Sequence, residues 1–215
     1  MAQPTAETRA ERRRLRALRS ALPRRQRAAA ERAIVASLQR LQLLRRGRYV
    51  AAYLAMPGEA SLARAIDAAR MTGAKIHVPR ITSRRRGEMR FVELRPDAVL
   101  RANPRAFGIR EPGGGPAGCV PLRRLDVVLL PVVGFDRAGH RLGMGAGYYD
   151  RALRRLRSAS RGWRRPRLVG IAYACQELAR IDAAPWDVAL DAVVTEREVI
   201  VPRRSQAPVP WSGEP

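Results

Sequence analysis

Apolar positions recur every three or four residues at the start of the chain and run almost without interruption further on. In "LRALRSAL" and "AIVASLQRLQLL" the apolar residues Leu15, Leu18 and Leu22, then Ile34, Leu38 and Leu41, stand at helical spacing. The spacing predicts two helices, over 9–22 and 27–44. Pro23 separates them, and its locked φ suits the first turn of the second. "RYVAAYLAM" (48–56) predicts a short buried strand, and "EASLARAIDAARMTG" a helix ending at Gly73, a good residue for the left-handed position after a helix. "KIHVPRI" and "MRFVEL" predict two more strands. After a segment without periodicity, "LDVVLLPVVGF" and "RPRLVGIAYAC" read as buried strands, with "YYDRALRRLRS" as a helix between them and "DAVVTEREVIV" as a last strand.

Near-continuous apolar strands alternating with helices imply strands buried on both faces. The expected fold class is therefore α/β: a single domain over 1–202, built on a mostly parallel sheet with helices on both faces. Two stretches stand apart. Residues 95–124 contain "GIREPGGGPAGCVPLRR", with five glycines, three prolines and no periodicity, and predict a long loop. Residues 203–215, "RRSQAPVPWSGEP", predict a disordered Pro-rich tail.

Composition changes this picture little. No apolar run has the length of a membrane span, and the N-terminus lacks the apolar core of a signal peptide. A cytoplasmic protein is expected. Cys119 and Cys175 share no metal-ligand or redox spacing and are expected to be inert thiols. The formal net charge is +23, which raises the possibility of a nucleic-acid partner. Of the 42 basic side chains, however, only Lys75 is lysine, the arginines are spread along the chain, and aromatics make up 5%. That distribution disfavours a base-stacking surface and leaves a solvated, arginine-rich exterior that steers anions.

Chemistry concentrates in "RLGMGAGYYDR", residues 141–151. Gly143, Gly145 and Gly147 permit positive φ and uncover backbone N–H groups, which can converge on an anion. A helix following such a segment adds its N-terminal dipole. Arg141 and Arg151 flank it and suit phosphate oxygens. Asp150, in the first helical turn, either complements the dipole or, beside phosphates, holds magnesium. The pattern is GxGxG rather than the dinucleotide fingerprint GxGxxG, and no lysine completes a Walker loop. On spacing alone, a structural turn and an anion cradle remain open.

The longer string "DVVLLPVVGFDRAGHRLGMGAGYYDRAL" resembles the signature of the 5-formyltetrahydrofolate cyclo-ligases. Its anchors Pro131, Phe135, Asp136, Gly139, Arg141, Leu142, Gly143, Gly145, Gly147, Tyr148, Tyr149 and Asp150 are all present. "AAYLAMPGEASL", "GIREP" and "VVTEREVI" resemble further family segments in order, so the likeness runs from about residue 9 to 201. The resemblance implies a Rossmann-like fold of the NagB/RpiA/CoA-transferase kind. It also implies an ATP- and Mg2+-dependent closure of 5-formyltetrahydrofolate to 5,10-methenyltetrahydrofolate, with ADP and phosphate released. The implied path is a phosphorylated formyl group, an iminium phosphate, that N10 then attacks.

By the same resemblance, Arg141, Leu142, Gly143, Met144, Gly145, Ala146, Gly147, Tyr148 and Tyr149 hold the ATP phosphates. Met144, Gly145, Ala146, Gly147 and Tyr148 also meet the folate, with Leu54 and Glu59 as further substrate contacts. A carboxylate at Glu59 suits the N–H groups of a pterin. Arg141, Tyr149 and Asp150 take the catalytic positions. Asp150 and Asp187 are the implied metal ligands, with Trp186 where many members have histidine. At the N-terminus Arg12 falls on the family's ATP-contacting arginine, with Arg9 or Thr8 near its lysine position. His140, beside the site, and His77, in a strand, are expected to be bystanders. The implied partner is a small-molecule folate, for which the positive surface suits a polyglutamylated tail. A monomer is expected, without membrane association. A basic nucleic-acid-associated protein that has kept the fold without the activity is the alternative.

Overall fold

The computed structural model describes residues 5–103, 110–113, 118–157, 165–184 and 187–202. Successive residues of its central strand face opposite sides. In β7 (Val127–Pro131), Val127 and Leu129 enter one core while Val128 and Leu130 enter the other. Such a strand must be apolar at every position, which is why its sequence is a run rather than an alternation. Its neighbours β1 (Tyr49–Ala51) and β10 (Arg167–Ile171) behave alike and pair with it in parallel. Further out, β2 (Lys75–Ser83) joins β1 and β11 (Ala192–Val194) joins β10, again in parallel. Antiparallel strands flank this centre. They are β3 (Glu88–Glu93) and β6 (Cys119–Val120) on one side and β12 (Val199–Ile200) on the other. The eight-stranded order is β12-β11-β10-β7-β1-β2-β3-β6.

Helices cover both faces. α2 (Arg24–Arg40) and α3 (Ala63–Thr72) bury Ile34, Leu38, Ile66 and Ala69 on one face, and α4 (Tyr148–Arg157) buries Leu153 on the other. Gly73 ends α3 at φ +79°, as its sequence position predicts. α1 (Ala6–Ala21) instead lies past the carboxyl end of β7. Its Leu15 packs with Val133 and Leu142, and a Cβ at Gly134 would come within 2.7 Å of Leu15 Cδ1. In an open α/β sheet the carboxyl ends of the strands are where ligands bind.

Four expectations are corrected. On α1 Leu15 is buried and Leu22 partly buried, but Leu18 is 41% exposed and Arg19 is buried in its place. The 48–56 strand keeps its ladder only over Tyr49–Ala51. The 191–201 strand is a hairpin, β11 and β12. The predicted 95–124 loop contains β4 (Leu100–Ala102), β5 (Arg110–Pro112) and β6. Buried Glu111 accounts for much of that order, accepting from Ile81 N at 3.2 Å and Asn103 Nδ2 at 3.1 Å. A carboxylate anchor leaves no hydrophobic period to read. Residues 114–117 of the glycine loop, Trp186 and the 203–215 tail lie outside the described residues. Among those described, no helix is long and apolar enough to cross a membrane.

Candidate active site

The chain leaves β7 through Val132 and Val133, then turns back as the ribbon β8 (Gly134–Phe135) and β9 (Arg141–Leu142). Buried Asp136 holds the ribbon's turn. It accepts from His140 N at 2.9 Å and from Ile181 N at 2.9 Å, and its Oδ2 lies 2.9 Å from His140 Nδ1. Gln176 secures the base by donating to the Val132 and Val133 carbonyls at 2.8 and 2.9 Å. β9 therefore delivers Arg141 and the glycine segment to a fixed place. Gly145 and Gly147 sit at φ +99° and +68°, a region costly for any residue with a Cβ. The segment feeds directly into α4, whose first N–H groups lack intrahelical acceptors.

A cavity of about 250 Å3 opens here. Thr8 and Arg12 line it from α1, Gly143 and Gly145 from the glycine segment, Asp150 from α4, and Asp187 from the segment before β11. Arg12 Nε donates to the Gly143 carbonyl at 2.8 Å. Burial lowers the Arg12 pKa, and the Asp150 charge partly offsets it. Arg141 hydrogen-bonds Asp150 and the Val188 carbonyl, joining three walls of the cleft. Asp187 accepts from Ala184 N at 3.0 Å.

Thr8, Arg12, Arg141, Leu142, Gly143, Gly145, Asp150 and Asp187 thus share one cleft. Met144 and Ala146 are exposed on the loop, Met144 by 42%. Arg9 lies on the exposed side of α1, away from the cleft lining, because a helix that turns residues 8 and 12 inward turns residue 9 aside. Arg151 does not face the phosphate position expected of it. Its guanidinium donates to the Gly87 carbonyl at 3.0 Å and the Ala146 carbonyl at 2.8 Å, and sits 5.1 Å from the centre of the Tyr148 ring. It braces the loop against the β2–β3 turn. His77 lies in β2, with Nδ1 3.3 Å from the Lys75 carbonyl, and burial lowers its pKa.

A second group of polar residues gathers around Arg19, about two turns further along the same face of α1 as Arg12. Glu59 is buried, and Met56 N donates to its Oε2 at 3.0 Å. Burial raises the Glu59 pKa; the Met56 amide and then the Arg19 charge oppose the shift. Nearby Tyr149 and Tyr53 have phenols pushed above their ordinary range, by burial first and then by the Glu59 charge. Tyr53 donates to the Ala60 carbonyl at 2.7 Å. Leu54 is half-buried against the α2–α3 core. Sequence reading missed Arg19, Asp136 as a hub, and Gln176. Arg19 did carry a signal, since it follows Arg12 and Leu15 by seven and four residues on one helical face.

The profile of the 5-formyltetrahydrofolate cyclo-ligase family matches residues 4–196. The chain is 32% identical over 190 residues to the 5-formyltetrahydrofolate cyclo-ligase of Haemophilus influenzae, covering 87% of this chain and 95% of that one. It is 34% identical over 152 residues to the Escherichia coli cyclo-ligase, covering 70% and 79%. The 5,10-methenyltetrahydrofolate synthetase of Aquifex aeolicus superposes with a TM-score of 0.74 at 26% identity, over 93% of this chain and 95% of that one. The Mycoplasma pneumoniae synthetase superposes at 0.67 and 23% identity, over 88% and 99%, and shares the fold. The chain belongs to the 5-formyltetrahydrofolate cyclo-ligase family.

Proposed function

We propose that this chain closes 5-formyltetrahydrofolate to 5,10-methenyltetrahydrofolate at the expense of ATP, with the cleft between α1 and the glycine segment taking the triphosphate. The observation that carries the reading is the meeting of Arg12, Gly143, Gly145, Arg141, Asp150 and Asp187 in one cleft, on the helix whose Arg19 pairs with buried Glu59. Cationic side chains and helix N–H groups suit phosphate oxygens. Two carboxylates facing such a cleft are the hard oxygen donors that magnesium takes together with phosphates. Asp150 and Asp187 fit that role, and the bound ion would neutralise phosphate charge. Arg141 would orient Asp150 through their ion pair.

On the folate side, ionised Glu59 accepts hydrogen bonds from pterin N–H groups, beside Leu54 and Tyr149. Met144 and Ala146, exposed on the loop, are further contacts for ATP and folate in this reading. The formyl oxygen attacks the γ-phosphorus and ADP departs; N10 attacks the activated carbon, its N–H proton is released, and phosphate departs. The protein contributes placement and charge neutralisation, which is what phosphoryl transfer requires of it. The test is the appearance of methenyltetrahydrofolate absorbance with purified protein, 5-formyltetrahydrofolate, ATP and magnesium. Turnover strictly dependent on both ATP and magnesium is expected; no turnover with micromolar protein would contradict the reading.

A further inference from the structure

One charged side chain near the site has no part in the chemistry above. Arg19 of α1 is 3% exposed. Its Nη2 stands 3.6 Å from Glu59 Oε1, and its Nη1 donates to the Val132 carbonyl at 3.3 Å. Among the described residues its Nε has no acceptor. The guanidinium lies against the turn that presents Glu59: a Cβ at Gly58 would come within 3.7 Å of Arg19 Nε and 2.7 Å of Ser20 Oγ.

Glu59 needs help to serve as an acceptor. Its burial favours the neutral acid, whose hydroxyl would oppose a pterin N–H with another hydrogen. The charged or titratable groups around it are Arg19 and Arg16 from α1, Tyr53 from the segment after β1, and Tyr149 from α4. The phenols stay neutral, so after the Met56 amide it is the buried Arg19 guanidinium that opposes protonation. A tight bidentate pair would also occupy the acceptor sites of the carboxylate. At 3.6 Å the pair supplies charge and leaves Oε1 open, while the Met56 amide fixes Oε2.

We infer that Arg19 is a positioning residue for the folate subsite, holding Glu59 in place as an open, ionised acceptor through the ion pair between α1 and the turn before α3. The inference rests on the reading that Glu59 meets the pterin. The test is steady-state kinetics of the full chain as wild type, Arg19→Gln, Glu59→Gln and the double variant, across pH, with each substrate varied in turn. Arg19→Gln is expected to raise KM for 5-formyltetrahydrofolate about tenfold, to leave KM for ATP within about twofold, and to move the acid limb of folate kcat/KM up by about one pH unit. Glu59→Gln is expected to raise folate KM and remove that limb. In the Glu59→Gln background, adding Arg19→Gln should change folate KM by less than about twofold, because Arg19 acts only through Glu59. This arm decides the matter even if Arg19→Gln alone does not fold, since the double variant buries no unpaired charge. A further rise above about threefold there would overturn the inference, as would an Arg19→Gln protein that melts lower yet keeps both KM values and the acid limb. If Glu59→Gln leaves folate KM at the wild-type value, the pterin reading fails first, whatever Arg19 does.

Discussion

α1 joins two regions built on opposite principles, through Arg12 at one and Arg19 at the other. The glycine cleft is open, lined by backbone and charged groups, and its carboxylates Asp150 and Asp187 sit within reach of solvent. The Glu59 region is closed, its carboxylate buried beside two tyrosines and an arginine. The difference matches the reactants assigned to each side. A triphosphate with its cation needs many charged contacts and tolerates water. A pterin needs one well-placed acceptor in a dry, flat pocket. It also teaches that the same residue type behaves differently on the two sides. Arg12 lines an open cleft, whereas Arg19 is half of a buried ion pair, and losing one partner of such a pair costs about 3–5 kcal/mol.

Five substitutions sharpen or break this contrast. The largest effect is expected from Asp150→Asn, which should cut kcat by about 10²–10³-fold while the melting temperature stays near wild type. A variant turning over at near wild-type rate would remove Asp150 from the metal role. Next, Glu59→Gln should raise folate KM by about 10–100-fold, the cost of a lost charge-assisted hydrogen bond, with ATP KM unchanged. Equal losses for both substrates would erase the division between the two sides. Gly145→Ala places a Cβ at φ +99° and should raise ATP KM about tenfold, folate KM much less. Smallest is a paired comparison on α1. Arg12→Ala should raise ATP KM severalfold and reduce the salt dependence of ATP binding, while Arg9→Ala stays within about twofold of wild type.

A pH consequence follows from the Glu59 environment. Its pKa in the folded chain is raised, chiefly by burial. Folate kcat/KM should therefore fall on acidification at a pH above the ordinary carboxylate range, as the acceptor is protonated. For stability the sign is opposite: a raised acid pKa favours folding at low pH and loses that contribution as pH rises through the folded value. A pH–rate profile in folate kcat/KM checks the first statement.

The sheet centre was legible because burial on both faces forces a continuous apolar run, as in Val127–Leu130, and few other structures use one. The glycine spacing alone left a turn and a cradle open; the likeness of the longer string around it is what pointed to this segment, whose Gly145 and Gly147 do occupy positive-φ positions. The margins were not. β4 and β5 rest on the buried carboxylate of Glu111, which has no period. The inward turn of Arg19 was masked by a chain in which arginine is the common surface residue, so its position on the Leu15 face carried no contrast. Arg9 and Arg151 fall outside the cleft lining for a related reason: charge identifies a candidate, but helical phase and nearby carbonyls decide where it points. These are tertiary facts, set by what lies across from each side chain.

The most direct test of the central claim follows the formyl oxygen itself. With 5-formyltetrahydrofolate carrying heavy oxygen in the formyl group, transfer of the γ-phosphate to that oxygen predicts that the label leaves in inorganic phosphate, one atom per turnover. Label released into water, with unlabelled phosphate, would contradict the account.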